Sequence, residues 1–121
     1  MLINDFFTIS DVNNEEGTIE AKIQLNASHQ IFEGHFPENP ITPGVVQIQI
    51  VKEIIESVLE RTCLLKEMGR CKFMAILNPN ENKEINIVLK HSIEDDILKI
   101  SAQGSSIDKS VTFFKFNAKY A

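Results

Sequence analysis

Hydrophobic and polar positions along this chain follow two different periods. From Thr18 to Leu25, Ile19, Ala21, Ile23 and Leu25 alternate with Glu20, Lys22 and Gln24, the pattern of a strand with one buried face. Phe6 to Val12 precedes it across Asn13-Asn14-Glu15-Glu16-Gly17, a polar turn ending in glycine, so a β-hairpin is predicted. From Gly44 the period becomes helical. Ile48, Val51, Ile55, Val58 and Leu59 recur at three and four residues, while Val45, Val46, Ile50 and Ile54 widen the apolar surface into that of a helix covered on most sides. Gln49, Lys52, Glu53, Glu56 and Glu60 share the remaining face, for which solvent exposure is the ordinary reading.

The helix is predicted to end near Thr62, before a segment that closes at Gly69. Period two then returns in Cys71 to Leu77, closed by Asn78-Pro79-Asn80, and in Glu84 to His91, with Ile85, Ile87 and Leu89 on one side. Ile97 to Gln103 follows an Ile93-Glu94-Asp95-Asp96 turn. Val111 to Tyr120 follows a turn over Gly104 to Asp108 and lines up Phe114, Phe116, Ala118 and Tyr120. The economical architecture is α+β: one long helix against an antiparallel sheet, in a single domain over residues 1–121.

Between hairpin and helix lies a loop from Asn26 to Pro43 with unusual punctuation. Within Phe32 to Val45 it holds three of the four prolines, two of the five glycines and one of the three histidines. Each proline fixes its own φ and pushes the preceding residue out of the α region, so Phe36, Asn39 and Thr42 are predicted extended and no helix begins before Pro43. Pro43 suits the first helical position, and Gly44 leaves a backbone N–H uncovered by any Cβ. Unpaired amides and the positive end of a helix dipole meet there, which suits an oxyanion. His35, nine residues before Gly44, is placed to act as a general base beside it.

The run Ile31-Phe32-Glu33-Gly34-His35-Phe36-Pro37, with Asn39-Pro40 and then Pro43-Gly44-Val45-Val46-Gln47-Ile48, resembles the signature of the 3-hydroxyacyl-acyl-carrier-protein dehydratases, FabZ- or FabA-like proteins of the hot-dog fold. The resemblance implies that His35 is catalytic, that Gly44 polarises a thioester carbonyl, and that Phe32, Phe36, Pro43 and Val45 line the substrate. Phe32 and Phe36 read from the sequence alone as residues packing the loop on the core. The family carries a carboxylate five residues after the helix-start glycine, and here that position is Gln49. An amide neither gives nor takes a proton near neutral pH, though it hydrogen-bonds a hydroxyl or a water. Many members also have an additional segment before the hairpin, whereas here the first predicted strand begins almost at Met1, so that part of an acyl tunnel is expected from elsewhere.

The resemblance implies dehydration of 3-hydroxyacyl thioesters to trans-2-enoyl thioesters in fatty acid or related polyene or polyketide synthesis. Phosphopantetheine would arrive with the substrate on an acyl carrier protein, with no cofactor of the enzyme's own. Family sites lie at a dimer interface, so a homodimer, a higher homo-oligomer, or a heterodimer with a carboxylate-bearing relative is expected. Three repairs for the missing acid stand open: His35 moving both protons, Glu53 acting through a water, or a partner completing the site. Thioester hydrolysis and a non-catalytic scaffolding subunit are the competing functions.

Composition narrows the remainder. Hydrophobic content of 43% and charged content of 24% are those of ordinary globular proteins, no run approaches a membrane span, and the N-terminus lacks a signal-peptide pattern, so a cytoplasmic protein is expected. The net charge of −5 argues against nucleic-acid binding. Charge is uneven: residues 1–60 carry a net −8 and residues 61–121 a net +3. Cys63 and Cys71 read as reduced structural thiols. No histidine pair has metal-ligand spacing, His29 reads as filling the loop, and His91 as a strand-end surface residue.

Overall fold

The period-two segments pair edge to edge into one sheet, and the apolar face they share packs against the helix. The computed structural model describes residues 2–30 and 41–121. Its elements in chain order are β1 (Phe7–Glu15), β2 (Thr18–Leu25), α1 (Gly44–Leu59), β3 (Leu65–Phe73), β4 (Glu84–Glu94), β5 (Ile97–Ser106) and β6 (Thr112–Tyr120). The strands lie in the order β1-β2-β4-β5-β6-β3, and every neighbouring pair is antiparallel. The helix packs against one face, where Val46, Ile50, Val51, Ile54 and Ile55 join Ile19, Ile23, Ile85, Leu89 and Phe116 in a single core. Each fully buried large aliphatic side chain contributes about 1.5–3 kcal/mol. The α+β expectation stands.

Element limits moved where turn geometry overrode composition. β1 runs on through Asn13, Asn14 and Glu15, leaving a two-residue turn at Glu16 (φ 50°) and Gly17 (φ 77°). Asp95 and Asp96, at φ 53° and 62°, connect β4 to β5 in the same way. Two positive-φ residues give a turn whose twist matches that of the flanking strands. The predicted strand Cys71 to Leu77 is instead β3, Leu65–Phe73, because Gly69 does not end the segment. It lies at a register shift between Met68 and Cys71 on an edge strand, where irregular pairing is tolerated.

Gly104, read from the sequence as the start of a turn, is a strand residue. Ala21, Ile87, Gly104, Phe114 and Phe73 are register partners in turn across β2, β4, β5, β6 and β3. A methyl group at Gly104 would overlap the buried Phe114 ring, so the glycine leaves room for that ring beneath the helix. Gly104→Ala is therefore expected to cost about 1–3 kcal/mol through overpacking, measured by urea unfolding.

The turn after β5 is closed by Asp108, whose Oδ1 accepts from Ser110 Oγ (2.7 Å), Ser110 N (3.0 Å) and Ser106 Oγ (2.8 Å). The Ser110 hydroxyl and amide, then the Ser106 hydroxyl, hold its carboxyl down at about 2. The unfolded chain has an ordinary aspartate near about 3.9. A depressed folded value stabilises above the unfolded one and is lost as pH falls through the folded one. Asp108→Ala should lower the unfolding midpoint at pH 7, with the difference from the parent shrinking below about pH 4 and disappearing only once the pH falls through about 2.

Candidate active site at the start of the helix

The chain reaches α1 through a pinned, extended approach. Thr42, 2% exposed, donates its N–H to Leu77 O at 2.9 Å, which ties the helix start to the segment after β3. Pro43 follows at φ −60° and ψ 150° as the N-cap, one residue before the first helical position predicted for it. The extended ψ excludes it from the helix, and its carbonyl accepts from Val46 N (3.1 Å) and Gln47 N (3.2 Å). Proline offers no capping side chain, and among the described residues no side chain caps this helix start. Among the described residues nothing accepts from Gly44 N–H or Val45 N–H, and the first turn carries no acid. The positive end of the dipole is left for a ligand.

Gly44 has a second role. A Cβ there would lie 2.6 Å from Cζ of Phe73, the last residue of β3. The glycine lets that half-exposed ring rest on the helix backbone. Beside it the Thr42 hydroxyl and the Gln47 Oε1 are buried with no hydrogen-bond partner among the described residues, while Gln47 Nε2 donates to Thr42 O at 3.0 Å.

Val45, Gln49 and Glu53 step by four and form one ridge of α1. Burial increases along it, from Val45 at 73% exposure through half-buried Gln49 to Glu53 at 1%. The surface position predicted for Glu53 is therefore wrong. Its carboxylate accepts Leu2 N–H on Oε2 (3.0 Å), Ile3 N–H on Oε1 (2.8 Å) and the Gln49 Nε2 on Oε2 (2.9 Å). The N-terminal segment folds over this face of the helix, and partnered donors replace the water the carboxylate would otherwise need.

A family model described as ApeI-like, ApeI dehydratase, matches residues 11–112. The chain belongs to the ApeI-like dehydratase family. Curated relatives carry the name 3-hydroxyacyl-[acyl-carrier-protein] dehydratase FabZ. That of Thermoanaerobacter sp. (strain X514) is 26% identical over 83 residues, covering 62% of this chain and 58% of the relative, so this chain spans less than two thirds of that protein. That of Lactobacillus helveticus is 22% identical over 108 residues, covering 84% and 72%. The dehydratase heterocomplex ApeI:P from Xenorhabdus doucetiae matches with a TM-score of 0.73 at 19% identity, over 93% of this chain and 96% of that one. A putative thioesterase, yhdA from Lactococcus lactis, gives 0.67 at 6%, over 98% and 92%. These structures establish the hot-dog fold.

Against this ApeI-like framework, Pro43, Gly44, Val45 and Gln49 all belong to the N-cap and first two turns of α1. His35, Phe32 and Phe36 lie outside the described residues. Sequence reasoning missed Phe73 and the burial of Glu53. Spacing of four from Gln49 was the available signal for Glu53, and nothing in the sequence pairs Phe73 with Gly44.

Other polar groups sit apart from the helix start. His29 Nε2 lies 3.0 Å from Asp5 Oδ2 and its ring meets Phe6 edge-on, in line with a loop-filling role. His91 is half-buried within β4 rather than at a strand end, with its ring 3.3 Å from Asn14 Oδ1. Cys63 and Cys71 are free thiols, and burial pushes the Cys63 thiol up. Among the described residues no cluster of His, Cys, Asp and Glu is arranged to hold a metal. A groove of about 440 Å³ lined by Arg70, Lys72, Lys90 and Lys115 accounts for part of the positive second half, but its lysines share the sheet face turned away from the helix.

Gly44→Ala separates folding from function at this site. The clash falls on the tip of a half-exposed ring that can swing outward, and alanine favours a helix by up to about 1 kcal/mol over glycine. The variant should keep a thermal midpoint within about 5 °C of the parent while losing the open approach to its amide. Thermal unfolding with a thioester-binding titration checks both.

Proposed function

We propose that this chain dehydrates 3-hydroxyacyl thioesters, presented on the phosphopantetheine of an acyl carrier protein, to trans-2-enoyl thioesters, in fatty acid or related polyene or polyketide synthesis. The observation that carries this reading is the uncapped helix start: two amides with no acceptor among the described residues and a glycine approach, with no acid in the first turn, in a dehydratase-family chain. The thioester oxygen takes up negative charge as the α-proton leaves, and Gly44 N–H is the donor for it. His35 removes that proton, the Cα–H electrons form the Cα–Cβ double bond, and the Cβ–O bond breaks. The departing hydroxyl takes a proton and leaves as water.

Along the Val45-Gln49-Glu53 ridge no carboxylate is free to supply that proton. Gln49 is an amide, and Glu53 is buried with three donors on its two oxygens. The acid is therefore assigned to a second hot-dog chain. β3 is an edge strand of the sheet; its last residue Phe73, which lies against Gly44, and Met74 and Ile76 just after it are 49%, 53% and 67% exposed, and Val45 beside Gly44 is also exposed. An apolar edge of this kind is covered by pairing with another chain. The similarity to the Xenorhabdus ApeI:P assembly, itself a dehydratase heterocomplex, supports a related dehydratase as that partner. No helix among the described residues is long and apolar enough to cross a membrane, and the reading retains the cytoplasmic location expected from the sequence.

The test uses a 3-hydroxyacyl carrier protein with enoyl and free-acid products followed together. His35→Ala should lower enoyl formation about 10²–10⁴-fold. Gln49→Glu would place two carboxyls in hydrogen-bond contact, where repulsion favours keeping one protonated, and should raise enoyl formation by the chain without a partner. Free acid as the product would establish hydrolysis instead, and silence in every combination a scaffolding role.

A further inference from the structure

We propose that Glu53 is a positioning residue that locks the Gln49 amide with its Oε1 turned outward, as the acceptor for the substrate's 3-hydroxyl hydrogen. This rests on the dehydration reading above and concerns how the hydroxyl is recognised rather than who protonates it.

A glutamine amide has two nearly isosteric orientations, one offering an oxygen and the other an NH2 group to a given neighbour. What lies beside it decides between them. Here the neighbour is a carboxylate 2.9 Å away that also accepts Leu2 N–H at 3.0 Å and Ile3 N–H at 2.8 Å. Three donors surround the two oxygens, so the carboxylate acts as an acceptor toward all of them and Nε2 must face it. Oε1 then points away from Glu53, toward the open side of the half-buried amide.

Nothing else is needed to hold this arrangement. Glu53 is 1% exposed, on a helix that enters the core, and the backbone donors come from a segment folded over it. Water does not compete for the carboxylate, so the orientation is set before any substrate arrives.

The consequence is selectivity. A 3-hydroxyacyl chain lying along the Val45-Gln49 ridge gives its hydroxyl hydrogen to Oε1, and the hydroxyl lone pairs stay free to receive the proton of the elimination. A saturated acyl chain leaves Oε1 without a partner. An acceptor left unpaired in a half-buried site corresponds to a preference of about tenfold for the hydroxylated chain. In Glu53→Gln the neighbour presents either an oxygen or an NH2, and the lock on Gln49 is lost.

The experiment compares binding of 3-hydroxyoctanoyl and octanoyl pantetheine thioesters by calorimetry, in the full chain with its partner where one copurifies. A His35→Ala background keeps the hydroxyl intact. We expect about a tenfold preference for the hydroxylated ligand in that background, falling to about onefold in Glu53→Gln and in Gln49→Met, with octanoyl affinity little changed. Loss of packing alone would weaken both ligands together and leave their ratio intact. Folded Glu53→Gln that keeps the full preference overturns the proposal. If Glu53→Gln does not fold, the Gln49 side-chain amide resonances of the parent decide. Slow exchange and restricted rotation, combined with loss of the preference in Gln49→Met, support the lock; a freely averaging amide overturns it. Equal binding of the two ligands by the parent overturns the lock alone, whereas binding of neither ligand removes the dehydration reading as well.

Discussion

Burial of α1 against the inner face of the sheet is the constraint from which the other features follow. A helix that contributes Val46, Ile50, Val51, Ile54 and Ile55 to the core has little surface left for water, so each polar group on it needs a protein partner. Glu53 meets that demand through Leu2, Ile3 and Gln49, and the Gln47 Nε2 through the Thr42 carbonyl, while Gln47 Oε1 has no partner among the described residues. Glycines on the sheet and at the helix start make the close approach possible. Gly104 gives way to Phe114, and Gly44 gives way to Phe73, so the same register rung that fills the core ends on the helix start.

That rung links packing to chemistry. A proline cap leaves the first amides without a side-chain acceptor among the described residues, and the first turn itself carries no acid to offset the dipole. In an isolated helix both would be small losses of stability. At the start of α1 they are polar groups available to a developing negative charge, and the ring of Phe73 lies against one side of them. The ridge from Val45 to Glu53 then runs inward from the open end to a buried carboxylate, a gradient that suits an acyl chain with one polar substituent.

Charge is unevenly placed along the chain. The basic groove of Arg70, Lys72, Lys90 and Lys115 lies on the side away from α1, while the excess of acid sits in the first half of the chain. The apolar exposure gathers at the free edge of β3 instead. Phe73 ends this edge strand and Met74 and Ile76 follow it, all exposed, with Phe73 against the helix start.

Much of this was legible in the residues. Alternation in Thr18 to Leu25 and Glu84 to His91, helical spacing from Gly44, and proline punctuation before it determine the strands, the helix and where the helix begins, because these depend on local geometry and on which face must be buried. The motif around His35 and Gly44 pointed to the family for the same reason: its residues are close in sequence. Strand limits at Glu15, Phe73 and Ser106 were decided by pairing partners distant in sequence. So were the place of Gly104 under Phe114, the contact of Phe73 with Gly44, and the burial of Glu53 beneath Leu2 and Ile3. A polar residue on a helix looks solvated until the fold brings another segment over it, and only tertiary structure supplies that segment.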